Sequence, residues 1–350
     1  MKNKSARKLL KFAVSQFTYP RDPKDFLQVF NNLTSARYTR GIVSHVTRET
    51  PDTSTIFFKA GDGWIPHVAG QWARIGVSLN GKRVWRPFSI SAAEGHDPSI
   101  TVKANGEVST FLVHDAEPGT LLYLEEPSGQ FVLEETPASI LFIVAGSGIT
   151  PVMSMLRTLM PRRPDHDVVL LYSSKSREDC IFHDEILELA DQFPGLKPIF
   201  RFSREDGRID FSDTGDIPRL CPDYQDREIY SSGPDSFVTQ VQDMAILFGG
   251  ESRVERFDLT RRTSASGNGE VYFSKSGETL EVTGADSILE AAENSGRQLP
   301  HGCRIGICRS CLVPMTDGQV SDIRTGEVTH DPGLVQTCIT RPAPWVELDV

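Results

Sequence analysis

The sequence predicts a multidomain fold with three architectures in a row: an antiparallel β-barrel, an α/β domain on a parallel sheet, and a small α+β domain at the C-terminal end. Three observations predict it. Short β-type runs separated by turn residues follow one another from Arg40, the texture of a small antiparallel barrel. From Pro137 continuous apolar runs alternate with helical stretches, as in a doubly wound parallel sheet. From residue 270 a hairpin and a helix lead into a loop dense in cysteine. A length of 350 residues suits two or three domains.

In order, residues 1–35 form a basic leader broken by Pro20 and Pro23. The barrel domain takes residues 36–136. Its runs are GIVSHVTRE (41–49), STIFFKA (54–60), GQWARIGVSL (70–79), RPFSIS (86–91) and SITVKA (99–104), and it ends near Phe131-Val132-Leu133. Gly61-Asp62-Gly63 and Asn80-Gly81 mark turns between runs. The α/β domain takes residues 137–258. It opens on SILFIVAG (139–146), an apolar run suited to a strand buried on both faces. A helix started by Pro151 follows, and then DVVLLYSS, FHDEILELADQF, LKPIFRFS, REIYSSGP and SFVTQVQDMAILFG alternate between strand and helix. Residues 259–269 are a polar Gly/Ser-rich linker. Residues 270–350 begin with the hairpin EVYFSKSGETLEVTG and the helix SILEAAENSG.

Composition excludes several classes. A net charge of −10 speaks against a strong nucleic-acid binder, and no run approaches the apolar length of a membrane span. The charge is uneven: residues 1–21 carry six bases and no acid, and residues 270–350 carry twelve acids and six bases. The leader interleaves its lysines with Leu9, Leu10, Phe12, Val14 and Phe17. That pattern fits a segment that packs on the body of the protein, with an interfacial amphipathic helix as the alternative. The expected location is the cytoplasm, with weak peripheral membrane contact through the leader as the open option.

Cys303, Cys308 and Cys311 have the spacing C-x4-C-x2-C, and Cys338 follows 27 residues after the third. This is the plant-type [2Fe–2S] pattern, four thiolates for two irons. Gly302 and Gly306 let backbone approach a cluster closely. Zinc is the competing metal, but its ligands usually come as two close pairs, and Cys338 stands alone. Cys180 and Cys221 remain as incidental buried thiols. His301, beside the loop, reads as a packing or surface residue.

Arg86-Pro87-Phe88-Ser89 supplies a cation for phosphates, a flat ring and a hydroxyl from one strand, which are the needs of a flavin. Some twenty residues on, GEVSTFL (106–112) places Ser109 and Thr110 behind a glycine turn, where helix amides can bind a pyrophosphate. Gly146-Ser147-Gly148-Ile149-Thr150-Pro151 sits where a buried strand meets a helix, the nucleotide position in such sheets. A purely structural strand–helix turn is the alternative.

RPFS, GEVS, GSGITP, SSGPD (231–235) and the cysteine loop, in this order, resemble the ferredoxin–NADP reductase superfamily with a plant-type ferredoxin fused at the C-terminal end. The resemblance covers about residues 36–350. The leader, WRPFSIS and CRIGICRSCLVPMTDGQVSD are most similar to electron-transfer reductases of acyl-CoA and fatty-acid desaturases; reductases of Rieske oxygenases and phenylacetyl-CoA epoxidase are near relatives. The resemblance implies a β-barrel flavin domain, an α/β nucleotide domain and an α+β β-grasp ferredoxin domain. It implies FAD rather than FMN, the [2Fe–2S] cluster, and NADPH with NADH as the alternative. Arg86, Pro87, Phe88, Ser89, Val102, Lys103, Gly106, Val108, Ser109 and Thr110 would form the flavin site. Gly146, Ser147, Gly148, Thr150, Pro151, Gly233, Pro234 and Asp235 would hold the dinucleotide, with Ser203 and Arg204 on its 2′-phosphate. Thr150, Ser232, Glu255 and Phe257 would lie near flavin and nicotinamide, Ser232 replacing the usual cysteine and Phe88 the usual tyrosine.

Hydride leaves a nicotinamide as two electrons and a [2Fe–2S] cluster accepts one, so a flavin between them is the converter and no side-chain base is required. The expected function is an NAD(P)H-dependent reductase that passes electrons to a fatty-acid or acyl-CoA desaturase. The alternatives are the reductase of another hydroxylase system, or an electron-bridging subunit of a larger enzyme.

Overall fold

The computed structural model describes residue 33 and residues 39–79, 81–133, 139–258, 269–282, 287–302, 306, 309–323 and 326–350. Residues 1–32 and 34–35 of the leader, residues 259–268 of the linker, Cys303 and Cys308 lie outside the described residues, as does the side chain of Phe257; Gly269, expected to end the linker, belongs to a strand. The chain divides into two compact units, Met1–Phe257 and Asp258–Val350.

The first unit holds two sheets. Its antiparallel sheet runs β4-β3-β6-β1-β2-β5, formed by β1 (Thr39–Thr50), β2 (Thr53–Ala60), β3 (Trp72–Leu79), β4 (Lys82–Ser89), β5 (Ser99–Lys103) and β6 (Leu121–Leu124). An isolated bridge between Ile90 and Ile100 joins the two outer strands and rounds the sheet toward a barrel. The β3–β4 hairpin pairs Leu79 with Lys82, leaving a two-residue connection whose Gly81 has φ +76, as primed hairpin turns require. Pro87 is tolerated because β4 ends the strand order. Val43, Ile56, Phe58, Ile75, Ile100 and Leu122 fill the interior, and α1 (Glu107–His114) adds Val108, Leu112 and Val113 to the same core.

The barrel is shorter than its sequence suggests. Phe131 lies outside any strand; it is buried against the nucleotide-side core, with its ring edge-on to Tyr230 at 5.9 Å. Apolar character alone could not reveal which core would claim it.

The parallel sheet of this unit runs β11-β10-β7-β8-β9. Its members are β7 (Ser139–Ala145), β8 (Asp167–Ser174), β9 (Leu196–Phe202), β10 (Glu228–Pro234) and β11 (Ser252–Asp258). Residues of β7 alternate between two cores: Ile140, Phe142 and Val144 pack with α2 (Ile149–Arg162) and α3 (His183–Gln192). Leu141 and Ile143 pack with α4 (Asp216–Leu220) and α5 (Asp235–Leu247). Burial on both faces explains the continuous apolar run. Strand order reverses between β7 and β10, which makes the crevice beyond their carboxyl ends the ligand position of this topology.

The second unit is a five-strand path β13-β12-β17-β14-β15 with β16 paired on β14. It comprises β12 (Gly269–Phe273), β13 (Glu278–Val282), β14 (Leu312–Asp322), β15 (Val328–Thr329), β16 (Gly333–Gln336) and β17 (Thr340–Leu348). The parallel pairing of β12 with β17 closes N- to C-terminal segments across the sheet. Helix α6 (Ile288–Asn294) is capped by Ser287, whose Oγ accepts from Glu290 N at 3.3 Å. Ile288, Leu289, Ala291 and Ala292 seat it on a core that also contains Cys311 and Cys338. No helix among the described residues is long and apolar enough to cross a membrane.

Candidate functional site

The nucleotide turns are built by close backbone contact. After β7 the chain makes a tight turn at Gly146–Gly148 before α2. Gly146 has φ +55, a conformation that favours glycine. A Cβ added at Gly148 would lie 2.1 Å from Ser232 O and 2.7 Å from Gly233 N. The GSG turn and the SSGP turn therefore touch main chain to main chain, on neighbouring parallel strands registered Val144 to Ser232. Thr150 Oγ1 donates to Ser147 O at 2.9 Å and Tyr172 OH to Gly146 O at 3.0 Å, which fixes the turn from both sides. Ser232 is fully buried, and its Oγ has no hydrogen-bond partner among the described residues. A buried hydroxyl left in this way suits a ligand that completes its bonding. Pro151 is buried in the first turn of α2. Asp235 behaves differently, because its carboxylate is bound by Arg256.

At the far end of the sheet, Ser203 N donates to Ser174 O and Arg204 N to Lys175 O. These bonds bring the ends of β8 and β9 together. Arg204 is exposed, with Nη1 3.6 Å from Asp179 Oδ2. Sequence reasoning missed Asp179, since nothing in a lone carboxylate announces a partner 25 positions away.

On the flavin side, β4 carries Arg86, Phe88 and Ser89 beside β3. Arg86 Nη1 donates to Trp85 O at 2.8 Å, and Phe88 rests partly on the barrel core. Gly106 caps α1, Thr110 is exposed, and Ser109 Oγ bonds Asn105 N and Gly106 O at the helix start. The first-turn amides of α1 have no helical acceptors, an arrangement that suits phosphate. Val102 and Val108 point into the core, so of the expected flavin residues these two have only backbone to offer. Lys103 Nζ is engaged by Asp52 Oδ1 at 2.6 Å.

The two sides meet along α2, where Ser154 Oγ donates to Ala92 O and Arg157 Nη1 to Ser91 O, both at 2.6 Å, and again at the flavin strand. Ser89 Oγ donates to Glu255 Oε2 at 3.3 Å, joining β4 to β11 across 166 residues. Glu255 is half-buried, and the protein around its carboxyl desolvates it. This desolvation pushes its pKa up to about 8 from the ordinary 4.5, with the Ser89 bond opposing. The group therefore holds a proton at neutral pH. Because the folded pKa lies above the unfolded one, stability is lost as pH rises from 4.5 to about 8. Glu255→Gln cannot ionise. The variant is expected to gain in melting temperature relative to the wild type as pH rises across that interval, and parallel curves of melting temperature against pH over that interval would sink this account.

At the cysteine site, Cys311 precedes β14 and Cys338 follows β16; both are buried, with their sulfurs 3.1 Å apart. That separation is beyond a disulfide bond of about 2.05 Å, and converging buried thiols suit a shared metal–sulfur centre. Thr337 N and Oγ1 both donate to Cys311 O at 3.2 Å. Gln336 Nε2 donates to Gly306 O at 2.9 Å, holding the loop that carries the other two cysteines. Gly306 has φ +80. His301 is exposed, and its Nδ1 donates to Leu299 O at 2.9 Å.

Comparison with known proteins gives the family. Residues 142–243 match the oxidoreductase NAD-binding domain family and residues 271–343 the 2Fe-2S iron-sulfur cluster binding domain family. An NADPH oxidoreductase of Mycobacterium tuberculosis is 39% identical over 97% of this chain and 92% of its own length. The stachydrine N-demethylase reductase subunit of Rhizobium meliloti is 27% identical over 87% of this chain and 94% of its own. Among solved structures, a phthalate dioxygenase reductase superposes with a TM-score of 0.64 at 23% identity, covering 90% of this chain and 98% of that one. The chain belongs to the ferredoxin–NADP reductase superfamily of oxidoreductases, in the branch that carries a [2Fe–2S] domain and works with FAD, NAD(P)H and the cluster.

Proposed function

We propose that this chain takes a hydride from NADPH and delivers electrons singly to an oxygen-activating iron enzyme, in the first instance a membrane-bound fatty-acid or acyl-CoA desaturase. The Ser89–Glu255 contact carries the reading. It joins the RPFS strand to β11, the neighbour of the strand that carries the SSGP turn, which supports a shared site for flavin and nicotinamide. In this reading residues 36–136 are the flavin domain, 137–258 the nucleotide domain, 259–269 the linker and 270–350 the ferredoxin-like domain.

Bound in these places, nicotinamide supplies hydride, FAD the exchange between two electrons and one, and the cluster the single-electron exit. Arg86 and the start of α1 (Gly106, Ser109, Thr110) neutralise the flavin phosphates, and Phe88 offers a flat face to the ring. Ser89 and the protonated Glu255 hydrogen-bond its polar edge. Thr150, Ser232 and the Gly233-Pro234 turn seat the nicotinamide. Cys303, Cys308, Cys311 and Cys338 ligate the iron.

Ser203 and Arg204 grip the 2′-phosphate that distinguishes NADPH. A guanidinium–phosphate bond is charge-assisted, and its exposure limits it, so Arg204→Ala is expected to raise KM for NADPH by about tenfold. KM for NADH should barely move. Steady-state kinetics with both nucleotides decide this; equal effects discard NADPH selectivity.

A second reading has its own support: the relatives include reductase subunits of stachydrine N-demethylase and glycine betaine monooxygenase. It makes a monooxygenase the acceptor. Reconstitution separates the two. Purified protein, NADPH and a candidate desaturase in lipid vesicles should produce acyl double bonds, and deletion of the basic residues 1–21 should slow that turnover while cytochrome c reduction is kept. Product from a monooxygenase and none from any desaturase overturns the desaturase reading.

A further inference from the structure

We infer that the outer face of β14 and β16 is the docking surface for the electron-accepting protein, and that this acceptor presents an apolar centre ringed by basic side chains. The inference rests on the reading above that electrons leave through the cluster.

β14 and β16 pair antiparallel, with Val313 opposite Val335, Leu312 opposite Gln336 and Pro314 opposite Leu334. Val313 and Val335 are buried in the core. Alternation along a strand therefore turns Leu312, Pro314 and Leu334 to the opposite face. Leu334 is 64% exposed, and Val328, opposite Ser321 on the neighbouring pair, is 40% exposed. Every residue from 326 to 334 is exposed. Adjoining apolar side chains open to water and rimmed by polar residues mark an interaction surface.

This apolar stripe starts at the metal site. Leu312 is the residue after Cys311, and Gln336 stands two before Cys338 while bonding the cluster loop at Gly306. An acceptor seated on Leu312, Pro314 and Leu334 is thus brought beside the buried thiolates without any path through the core of the domain.

Charge chooses the occupant. Exposed Asp317, Glu327 and Asp331 rim the stripe, within a segment, residues 270–350, of net −6. The whole chain is −10 and residues 1–21 contribute +6, so residues 22–269 carry −10. Residues 22–269 have the same sign as the rim, so charge complementarity favours an external basic protein. A basic external protein is attracted, and such complementarity speeds encounter in a salt-dependent way.

The test uses the full-length holoprotein with cytochrome c, a basic haem protein, as probe, and ferricyanide as a small anionic acceptor that needs no protein docking face. Leu334→Asp is expected to lower kcat/KM for cytochrome c by about tenfold, through loss of the apolar contact at the centre of the face. Ferricyanide turnover and anaerobic single-turnover bleaching of the cluster by NADPH should stay at wild-type rates. Asp331→Lys should lower cytochrome c reduction at low ionic strength and flatten its salt dependence. Wild-type kcat/KM for cytochrome c in Leu334→Asp overturns the inference. So does slowed cluster bleaching in that variant, which would assign the face to the flavin-bearing unit. A wild-type protein whose cluster NADPH does not bleach would overturn the electron route of the preceding section instead.

Discussion

Cys311→Ser is expected to abolish the iron–sulfur centre and lower cytochrome c reduction about a hundredfold, while ferricyanide reduction by NADPH survives. The thiol is 1% exposed and 3.1 Å from Cys338 Sγ, so no other side chain can move in to replace it. Serine is a poorer, harder ligand whose hydroxyl is not a thiolate at neutral pH. The residue also acts through its main chain, since its carbonyl receives both donors of Thr337 and so ties the fourth cysteine to the first strand of the site. That tie survives the substitution, which isolates the effect of the sulfur. A metal centre that binds only the folded domain stabilises it by mass action, so the melting temperature of the second unit should fall as well. Iron analysis, visible spectroscopy and the two acceptor assays check the outcome. A variant with full iron and full cytochrome c turnover would remove Cys311 from the ligand set.

Gly148→Ala should destabilise the first unit and weaken nucleotide binding together. The added Cβ would stand 2.1 Å from Ser232 O, 2.4 Å from Ser232 C and 2.7 Å from Gly233 N. All three are backbone atoms, so no rotamer change relieves the clash and β7 and β10 must part. Overpacking of this kind costs about 1–3 kcal/mol, roughly 2–4 °C of melting temperature per kcal/mol in a domain of this size. Parting the strands also opens the crevice between the GSG and SSGP turns, so KM for NADPH and NADH should rise alike. Gly146→Ala is the control. Nothing lies within 4 Å of a Cβ there, and only its φ of +55 is strained, a cost of about 1 kcal/mol. If Gly148→Ala melts no lower than Gly146→Ala and keeps its KM values, the contact between the two turns is not what shapes the site.

The chemistry-bearing segments were legible because each is local. C-x4-C-x2-C, RPFS and GSGITP carry their spacing, turn and capping requirements within a few residues, and the alternation of β7 to β10 with helices announced a parallel sheet. What eluded the sequence is non-local. Ser89 and Glu255 were each expected beside the flavin, but the sequence did not announce their bond across 166 residues, nor the desolvation that raises the Glu255 pKa. Asp179 beside Arg204 and Gln336 holding Gly306 had no signal at all. Val102 and Val108 matched a motif by position, yet strand and helix geometry turned their side chains into the barrel core.

By itself, then, the sequence determined the order of the three architectures, the thiolate pattern and the glycine turns, because these follow from short-range sterics and from ligand spacing along one chain. Only the tertiary structure decided that Phe131 joins the core of the second sheet, that Gly148 must be glycine because Ser232 lies against it, and that Leu334 is turned outward beside the cysteine site. Each of those depends on which distant backbone arrives next to a residue, and burial and electrostatic environment are properties of that neighbourhood rather than of the residue itself.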